Sequence, residues 1–332
     1  MTSVAHPIID VLFVLLPDSV LLDWAGPAEA FRLANQALAR VGKPPSFAVR
    51  AVGPQTEMRS SVGIMLGHIE PLPKTLRHPS WIILVGNTDE SFAPQSASYT
   101  AVLRWLRHVG EQLKAGNRLV TICAGALIAA DAGLLAGRRV TTHHQEFEKL
   151  KVLEPTCDVV QNRVFVVDES AQGSVYSSAG ITTGIDLALH MVGQICGAPL
   201  AARVAETMVV AMRRGLDDPA ISPFLKYRHH MHPALHRLQD AINQDPQADW
   251  TLPAMATVSC TSSRHLARLF ALHAGISPLH YLRNIRLAVA DTALMSGSNV
   301  TQAAELAGFK SDTQLRRSRR SVEKLSEPLL GE

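Results

Sequence analysis

The sequence predicts two domains of different class: an N-terminal α/β domain with a parallel sheet between helices, and an all-α C-terminal domain. The chain has 332 residues, a length that suits two domains better than one. Apolar β-branched runs alternate with helical patterns up to residue 212, after which strand patterns vanish. Residues 1–221 hold 19 Lys and Arg against 20 Asp and Glu, whereas residues 222–332 hold 13 against 9. The resulting net charge of +4 in the second part favours a polyanion as its partner.

The individual elements follow from local patterns. Short apolar runs closed by Pro, Gly or Asn are typical of buried strands, and longer amphipathic runs are typical of helices. The strands are predicted at Ile8–Leu15, Phe47–Val52, Trp81–Val85 and Arg118–Ile122, with additions to the sheet at Val164–Val167 and Val175–Ser178. The helices of this domain are predicted at Pro27–Arg40, Tyr99–Leu113, Ala126–Ala132, Gly184–Ile195 and Pro199–Met212, and Thr183 is a candidate cap. The domains are therefore residues 1–212 and 233–332, joined by a linker at 213–232.

Composition excludes several classes of protein. Hydrophobic residues make up 47% of the chain and charged residues 18%, which excludes global disorder. The longest apolar stretch, Ile8–Leu16, contains Asp10 and is too short to span a bilayer. The chain does not open on a secretory signal pattern, so we expect a cytoplasmic protein with no membrane partner. Its four cysteines lie far apart and form no CxxC pair, so we predict neither a metal site nor a disulfide framework. We also expect no cofactor.

The first of two similar helical units in the C-terminal domain spans residues 252–274. A short helix with one apolar face is followed by a polar turn, and Ser262 is suited to cap the second helix. That helix is apolar on one side and basic on the other, as in helices that enter the major groove of DNA. The predicted DNA-binding residues of this unit are Ser263, Arg264, His265 and Arg268.

A second unit at residues 300–320 repeats the pattern. Gly308 lies in its turn, where a residue able to take positive φ is needed, and Ser311 can cap the next helix. Ordinary surface arginines on a helical bundle would explain one such unit, but the repetition and the basic excess favour DNA binding. The predicted DNA-binding residues here are Ser311, Asp312, Gln314, Arg316 and Arg317.

The C-terminal domain resembles the AraC/XylS family of transcription regulators. The matching stretches are SSRHLARLFALHAGISPLHYLRNIRL at Ser262–Leu287 and VTQAAELAGFKSDTQLRR at Val300–Arg317. The resemblance implies that the helices at 262–273 and 311–320 read successive major grooves of double-stranded DNA, with RNA polymerase as a partner. Members of the family usually have an apolar or aromatic residue in place of Arg319 and a different ending from SRRSVEKLSEPLLGE. We therefore expect the last helix to dock poorly.

A cysteine follows the fourth predicted strand. Cys123 lies between that strand and a helix, with Ala124 and Gly125 next in the chain. Small neighbours suit a sharp strand-to-helix turn, and a helix N-terminus lowers the pKa of a thiol beside it. The same pattern is equally consistent with a cysteine that serves only as a small buried apolar residue.

Catalysis would also need a base. His143 and His144 lie downstream of the cysteine, and Glu146 follows. These residues leave two interpretations open, a Cys–His–Glu set and adjacent histidines on a surface loop.

The N-terminal domain resembles the class I glutamine amidotransferase-like superfamily of the ThiJ/PfpI type, which implies a flavodoxin-like parallel sheet between helices. The matching motifs are LLDWAGPAEAF at Leu21–Phe31, TICAGALIAADAGLLAGRRVTTH at Thr121–His143 and SSAGITTGIDLALHMV at Ser177–Val192. By this resemblance, Cys123 is the elbow cysteine, Asp23 is the acidic residue that faces it, and His143 is the histidine of the TTH motif. Peptidase-like relatives have His directly after the cysteine, where this chain has Ala124. The three matching residues are therefore expected to be vestiges of a catalytic site.

The resemblance, with its GlxA- or FtrA-like order of domains, implies a small-molecule effector bound at this vestigial site. Asp23 suits a cationic group, and the helix N-terminus at residues 124–127 suits a carboxylate, so we expect an amino acid or a quaternary amine. The predicted ligand-binding residues are Asp23, Cys123, Ala124, Gly125 and His143.

Together these features predict a DNA-binding transcription regulator, an activator that works as a homodimer and responds to the effector. Two alternatives remain open. One is a cysteine-dependent hydrolase or hydratase, and the other is a regulator in which Cys123 is the oxidisable thiol of a redox sensor.

Overall fold

The computed structural model describes residues 7–77, 79–88, 96–113, 116–170, 173–210, 214–216, 218, 220, 224, 226–295 and 297–326. The chain divides into two compact units, Met1–Ala220 and Ile221–Glu332. The boundary lies inside the linker predicted at residues 213–232.

The first unit contains the predicted parallel sheet. Its strands within the described residues are β1 Ile9–Val14, β2 Phe47–Gly53, β3 Met58–Arg59, β4 Met65–Leu66, β5 Glu70–Pro71, β6 Ser80–Leu84, β7 Arg118–Ile122, β8 Arg139–Val140, β9 Asp158–Val159, β10 Phe165–Ser170 and β11 Gly173–Ser178. Seven of them form the main sheet in the order β10-β11-β7-β6-β1-β2-β5. Neighbouring strands run parallel except β10, which is antiparallel to β11. The short pairs β3–β4 and β8–β9 lie outside this sheet.

Helices cover both faces of the sheet. They are α1 Leu21–Arg40, α2 Ala97–Gly110, α3 Gly125–Asp131, α4 Phe147–Leu153, α5 Thr183–Cys196 and α6 Ala198–Thr207. Val11 and Phe13 of β1 belong to the core shared with α1, α5 and α6. Leu12 and Val14 belong to the core shared with α2 and α3. This alternation is what a strand buried on both faces requires, and it confirms the predicted architecture of the first unit.

The structure corrects one boundary that matters for the site. Helix α1 begins at Leu21, whereas the sequence predicted a start at Pro27, and Pro27 is buried inside the helix. Proline lacks the N–H that would bond the carbonyl four residues earlier, so its presence favours a first helical position. The helix tolerates this loss, and Asp23 consequently lies in the first turn of α1.

The second unit is helical throughout its described part. Its helices are α7 Pro233–Gln244, α8 Leu252–Val258, α9 Ser263–Ala274, α10 Pro278–Met295, α11 Val300–Leu306 and α12 Asp312–Ser326. Tyr281 and Ile285 of α10 pack in a core with α7, α8 and α9. Leu287 and Ala290 of the same helix pack in a second core with α11 and α12. Helix α10 thus joins the two predicted helix-turn-helix units.

None of the helices in the described ranges combines the length and the apolar character needed to cross a membrane.

Candidate functional site

Cys123 occupies a strained turn between β7 and α3. Its φ is 57°, in the left-handed region that non-glycine residues seldom adopt. The Cys123 N–H donates to the Ser178 carbonyl over 3.1 Å, and the Thr142 hydroxyl donates to the Cys123 carbonyl over 2.8 Å. Gly125 must be small, because a Cβ on it would lie 2.2 Å from the Leu84 carbonyl oxygen. The predicted strand–turn–helix context of the cysteine is confirmed.

The Asp23 carboxylate lies beneath this turn and is fully buried. Its Oδ1 accepts a hydrogen bond from the Ile181 N–H over 2.8 Å, and its Oδ2 accepts one from the Gly86 N–H over 3.0 Å. Burial raises the pKa of Asp23, and these hydrogen bonds oppose the rise. The carboxylate therefore ties α1 to the segments that follow β6 and β11.

The environment of the cysteine raises the pKa of its thiol. Burial is the largest cause, the negative charge of Asp23 is the next, and Glu146 adds a smaller contribution. The Ala124 N–H at the start of α3 favours the thiolate but does not outweigh them. The expectation that the helix N-terminus would lower this pKa is wrong, because desolvation exceeds the contribution of one short helix end. The protonated thiol is thus the form present at neutral pH.

Two glycines bring the backbone against these side chains. Gly180 has a φ of 103°, and a Cβ there would lie 2.6 Å from the Cys123 Sγ. A Cβ on Gly86 would lie 2.8 Å from Asp23 Oδ2. Sequence reasoning assigned no role to Gly86, Gly180 or Ile181, although the last two belong to the quoted SSAGITTG motif. A glycine directly after a strand end was the available signal of close backbone approach.

Residues 179–182, which we call the site loop, connect β11 to α5 and carry Gly180 and Ile181. Thr183 does not cap α5 as predicted. Its hydroxyl instead accepts from the Gly180 N–H over 2.7 Å and donates to the Gly180 carbonyl over 2.9 Å. Ile181 has a φ of 49°, which is strained for a β-branched residue, and its side chain is 43% exposed. The site loop is therefore held in place by side-chain contacts and borders the solvent.

The TTH motif reaches the cysteine through Thr142, by the hydrogen bond to the Cys123 carbonyl. His143 is half-buried, and its ring centroid lies 4.3 Å from that of the exposed His144. Ala124 and Gly125, the other predicted ligand-binding residues, are buried at the start of α3. The motif is thus adjacent to the elbow. Within the described ranges, no group of three or more His, Cys, Asp or Glu side chains is arranged to hold a metal ion.

The first helix-turn-helix unit has the predicted form. The Ser262 hydroxyl caps α9 by accepting from the His265 N–H over 3.2 Å. Leu266 and Phe270 on the inner side are fully buried. The outer side presents the other predicted residues: Arg264 and Arg268 are exposed, and Ser263 and His265 are half-buried.

The second unit also follows its prediction. Gly308 has a φ of 75°, and the Ser311 hydroxyl accepts from the Gln314 N–H over 3.2 Å. Asp312 accepts from the Thr301 hydroxyl over 3.1 Å, which braces the turn between α11 and α12. Gln314 accepts from the Lys310 N–H over 2.7 Å. The exposed residues of α12 include Gln314, Arg316 and Arg317.

The structure differs from the expectation that the last helix docks poorly. Helix α12 extends to Ser326, and Leu315 is 2% exposed in the core formed with α10 and α11. Arg319 forms an ion pair with Asp291 of α10. A basic residue can therefore replace an apolar one at position 319, because α10 supplies a partner for its charge.

Comparison with known proteins agrees with both units. The family model described as the DJ-1/PfpI family matches residues 11–194, and the model described as a helix-turn-helix domain matches residues 255–326. The chain is 27% identical over 313 residues to the HTH-type transcriptional regulator CdhR of Pseudomonas aeruginosa. The match covers 94% of this chain and 88% of that protein. It is 27% identical over 301 residues to the HTH-type transcriptional regulator GlxA of Rhizobium meliloti, and the match covers 90% of this chain and 88% of that protein.

Solved structures agree on the fold of the first unit. A ThiJ/PfpI family protein from Pseudomonas syringae superimposes with a TM-score of 0.50 at 19% sequence identity, covering 64% of this chain and 79% of that chain. The strand order, the cysteine turn and the family match lead to one conclusion: the chain belongs to the DJ-1/PfpI family and carries a C-terminal helix-turn-helix domain.

Proposed function

We propose that the protein is a sequence-specific DNA-binding transcription regulator whose DJ-1/PfpI unit binds a small-molecule effector. The observation that carries this proposal is the repeated unit of α8–α9 and α11–α12. Each second helix is capped by a serine, buried on one side and lined with exposed arginines on the other. The names of the two full-length relatives, both HTH-type transcriptional regulators, support the same function.

Arginine contacts to phosphates would supply much of the affinity for DNA, and contacts to base edges would supply the specificity. Arg264, His265 and Arg268 would face one major groove, and Gln314, Arg316 and Arg317 the next. Activation of transcription, a homodimer and contact with RNA polymerase belong to the same proposal and rest on family resemblance alone, the homodimer on that of the N-terminal domain.

For the first unit we propose a binding role without catalysis. A nucleophilic cysteine works as a thiolate, whereas burial and the charge of Asp23 keep Cys123 protonated. The raised pKa counts equally against a thiol that reacts readily with peroxide. The effector would contact the elbow residues 123–125 and His143 from the side of the site loop.

The role we assign to Asp23 is positioning. The carboxylate is fully buried and accepts backbone N–H groups from Gly86 and Ile181, so a cationic effector could reach it only if the surrounding backbone moved. Movement at Ile181 would displace the site loop. An effector changes the activity of the protein only if it binds one arrangement better than the other.

Selection of genomic DNA fragments by the purified full-length protein tests the regulator function. Enrichment of a shared sequence supports it, and the genes beside that sequence nominate metabolites for a thermal-shift screen. Binding that is weak and indifferent to sequence would contradict it. A matched protein with Arg264→Ala and Arg268→Ala should enrich nothing, while Arg104→Ala on the exposed face of α2 should leave the enrichment intact.

A further inference from the structure

Arg214 and Asp218, which follow α6 in the chain, contact residues in or beside the site loop. Residues 214–218 precede the boundary between the two units at Ala220. Both attachments lead to the site loop or to its immediate neighbours in the chain. All of the contacts lie within the first unit.

The first attachment is made by Arg214. Its Nε donates to Asp186 Oδ2 over 2.9 Å, and its backbone N–H donates to Asp186 Oδ1 over 3.2 Å. Its guanidinium also donates to the Thr182 hydroxyl over 3.1 Å. Asp186 lies in the first turn of α5, and its side chain is only 4% exposed. A buried carboxylate is costly to leave unpaired, so the ion pair with Asp186 holds Arg214 in place.

The second attachment is made by Asp218. Its carbonyl accepts from the Val164 N–H over 3.0 Å, and the Val164 carbonyl accepts from the Ala179 N–H over 3.0 Å. The Asp218 carboxylate also accepts from the Gly215 N–H over 2.6 Å. Asp218 is thus linked through one residue to the start of the site loop.

The other side of the site loop touches the proposed effector site. Ile181 donates to Asp23, and Gly180 lies against the Cys123 thiol. Gly180, with its positive φ, and the strained Ile181 stand between the cysteine and Thr182, which accepts a hydrogen bond from Arg214. Because the loop has only four residues, we expect a shift at the cysteine to reach Thr182 or Ala179.

We propose that the contacts of Arg214 with Asp186 and Thr182, together with the Asp218–Val164 hydrogen bond, form a linker clamp that couples the state of the cysteine site to the segment leading to the DNA-binding unit. This inference rests on the proposed function, since it describes how that site is regulated. A molecule that displaces Ile181 from Asp23 loosens the clamp. Loosening the clamp in turn frees the site loop, because coupling between two sites is reciprocal.

Hydrogen–deuterium exchange of the full-length protein tests the coupling in both directions without an effector. Arg214→Gln removes the charge that holds Asp186, and exchange in the site loop should become about tenfold faster. Gly180→Ala forces the loop away from the Cys123 Sγ, and exchange in residues 214–218 should rise by about the same factor. In the double variant, exchange should accelerate by less than the product of the accelerations seen in the two single variants, because the segments are coupled.

Controls separate coupling from general destabilisation. Arg203→Gln removes an exposed arginine of α6 and should change neither segment. Thr182→Val removes a single contact of Arg214, so it perturbs the clamp if Arg214→Gln prevents folding. The proposal is overturned if each substitution affects only its own segment, or if exchange rises equally in β1 and β6.

A second measurement keeps the two proposals apart. On a DNA fragment selected by the wild-type protein, Arg214→Gln should change the Kd at least about fivefold and Arg203→Gln should not. A wild-type protein that selects no DNA defeats the proposed function, while the exchange result still decides whether the clamp exists. Specific DNA binding with an unchanged Kd for Arg214→Gln defeats the regulatory role of the clamp alone.

Discussion

Asp23 Oδ1 accepts the Ile181 N–H over 2.8 Å, although the two residues are 158 positions apart in the chain. This bond joins the first turn of α1 to the loop that covers the cysteine. With the Gly86 bond, it makes one buried carboxylate the common anchor of three chain segments. The anchor gives this acidic residue a structural role that does not depend on proton transfer.

Replacement of Asp23 should therefore destabilise the first unit. Asp23→Ala leaves the buried Gly86 N–H and the part-buried Ile181 N–H without partners, and we expect a loss of about 3 kcal/mol in the free energy of unfolding. Denaturant unfolding of the full-length protein measures it. Glu29→Ala, an exposed acidic residue of the same helix, serves as the control and should cost little. Equal stability of the two variants would show that Asp23 is no anchor.

Much of this architecture is predictable from the sequence, and the contrast between two elements shows the limit. Strand β7 was predicted with its observed ends, because an apolar run closed by an elbow has only one good interpretation. The start of α1 was missed, since a proline inside a helix is locally unfavourable and is compensated by packing. The Asp23–Ile181 contact has no local signature at all. The pKa of Cys123 depends on burial, which the spacing of residues does not reveal.

Cys123 should be slow to react with alkylating reagents. Its raised pKa keeps the thiol protonated, whereas Cys260 is exposed. With iodoacetamide at about pH 7.5, mass spectrometry should find Cys260 modified well before Cys123. The rate at Cys123 should still be rising above the ordinary thiol pKa of 9.0. Rapid alkylation of Cys123 at neutral pH would instead support the hydrolase or redox interpretation.

The second unit should lose stability in mild acid through His230. This residue is buried, and burial is the largest cause that lowers its pKa below 6.5. The positive charges of the neighbouring histidines lower the pKa further, in the order His236, His273, His229 and His232. The unfolded chain therefore binds a proton at a higher pH than the folded chain does, so stability falls as the pH drops through 6.5. Calorimetry should show a smaller pH dependence in His230→Gln, whereas His108→Gln on α2 should behave like the wild type. The same pH dependence of stability in the wild type and in both variants would refute its assignment to His230.

Helix α12 should depend on Leu315 for its docking. Leu315→Ala removes a side chain that is 2% exposed and should cost about 3 kcal/mol of stability in the second unit. The exposed Thr313→Ala on the same helix provides the control. Thermal unfolding compares them. If both substitutions are harmless, the helix is not docked and the original expectation from the atypical ending is restored.

The central claim is that α9 and α12 bind DNA, and titration of one selected fragment tests it most directly. The Kd of the wild-type protein should rise steeply between about 50 and 200 mM salt, because arginine contacts release counterions from the phosphates. Two double variants should each weaken binding at least about tenfold and reduce its salt dependence. One combines Arg264→Ala with Arg268→Ala in α9, and the other combines Arg316→Ala with Arg317→Ala in α12. Arg104→Ala should bind like the wild type. An unchanged Kd in both double variants would contradict the claim that these helices are the DNA-binding surface.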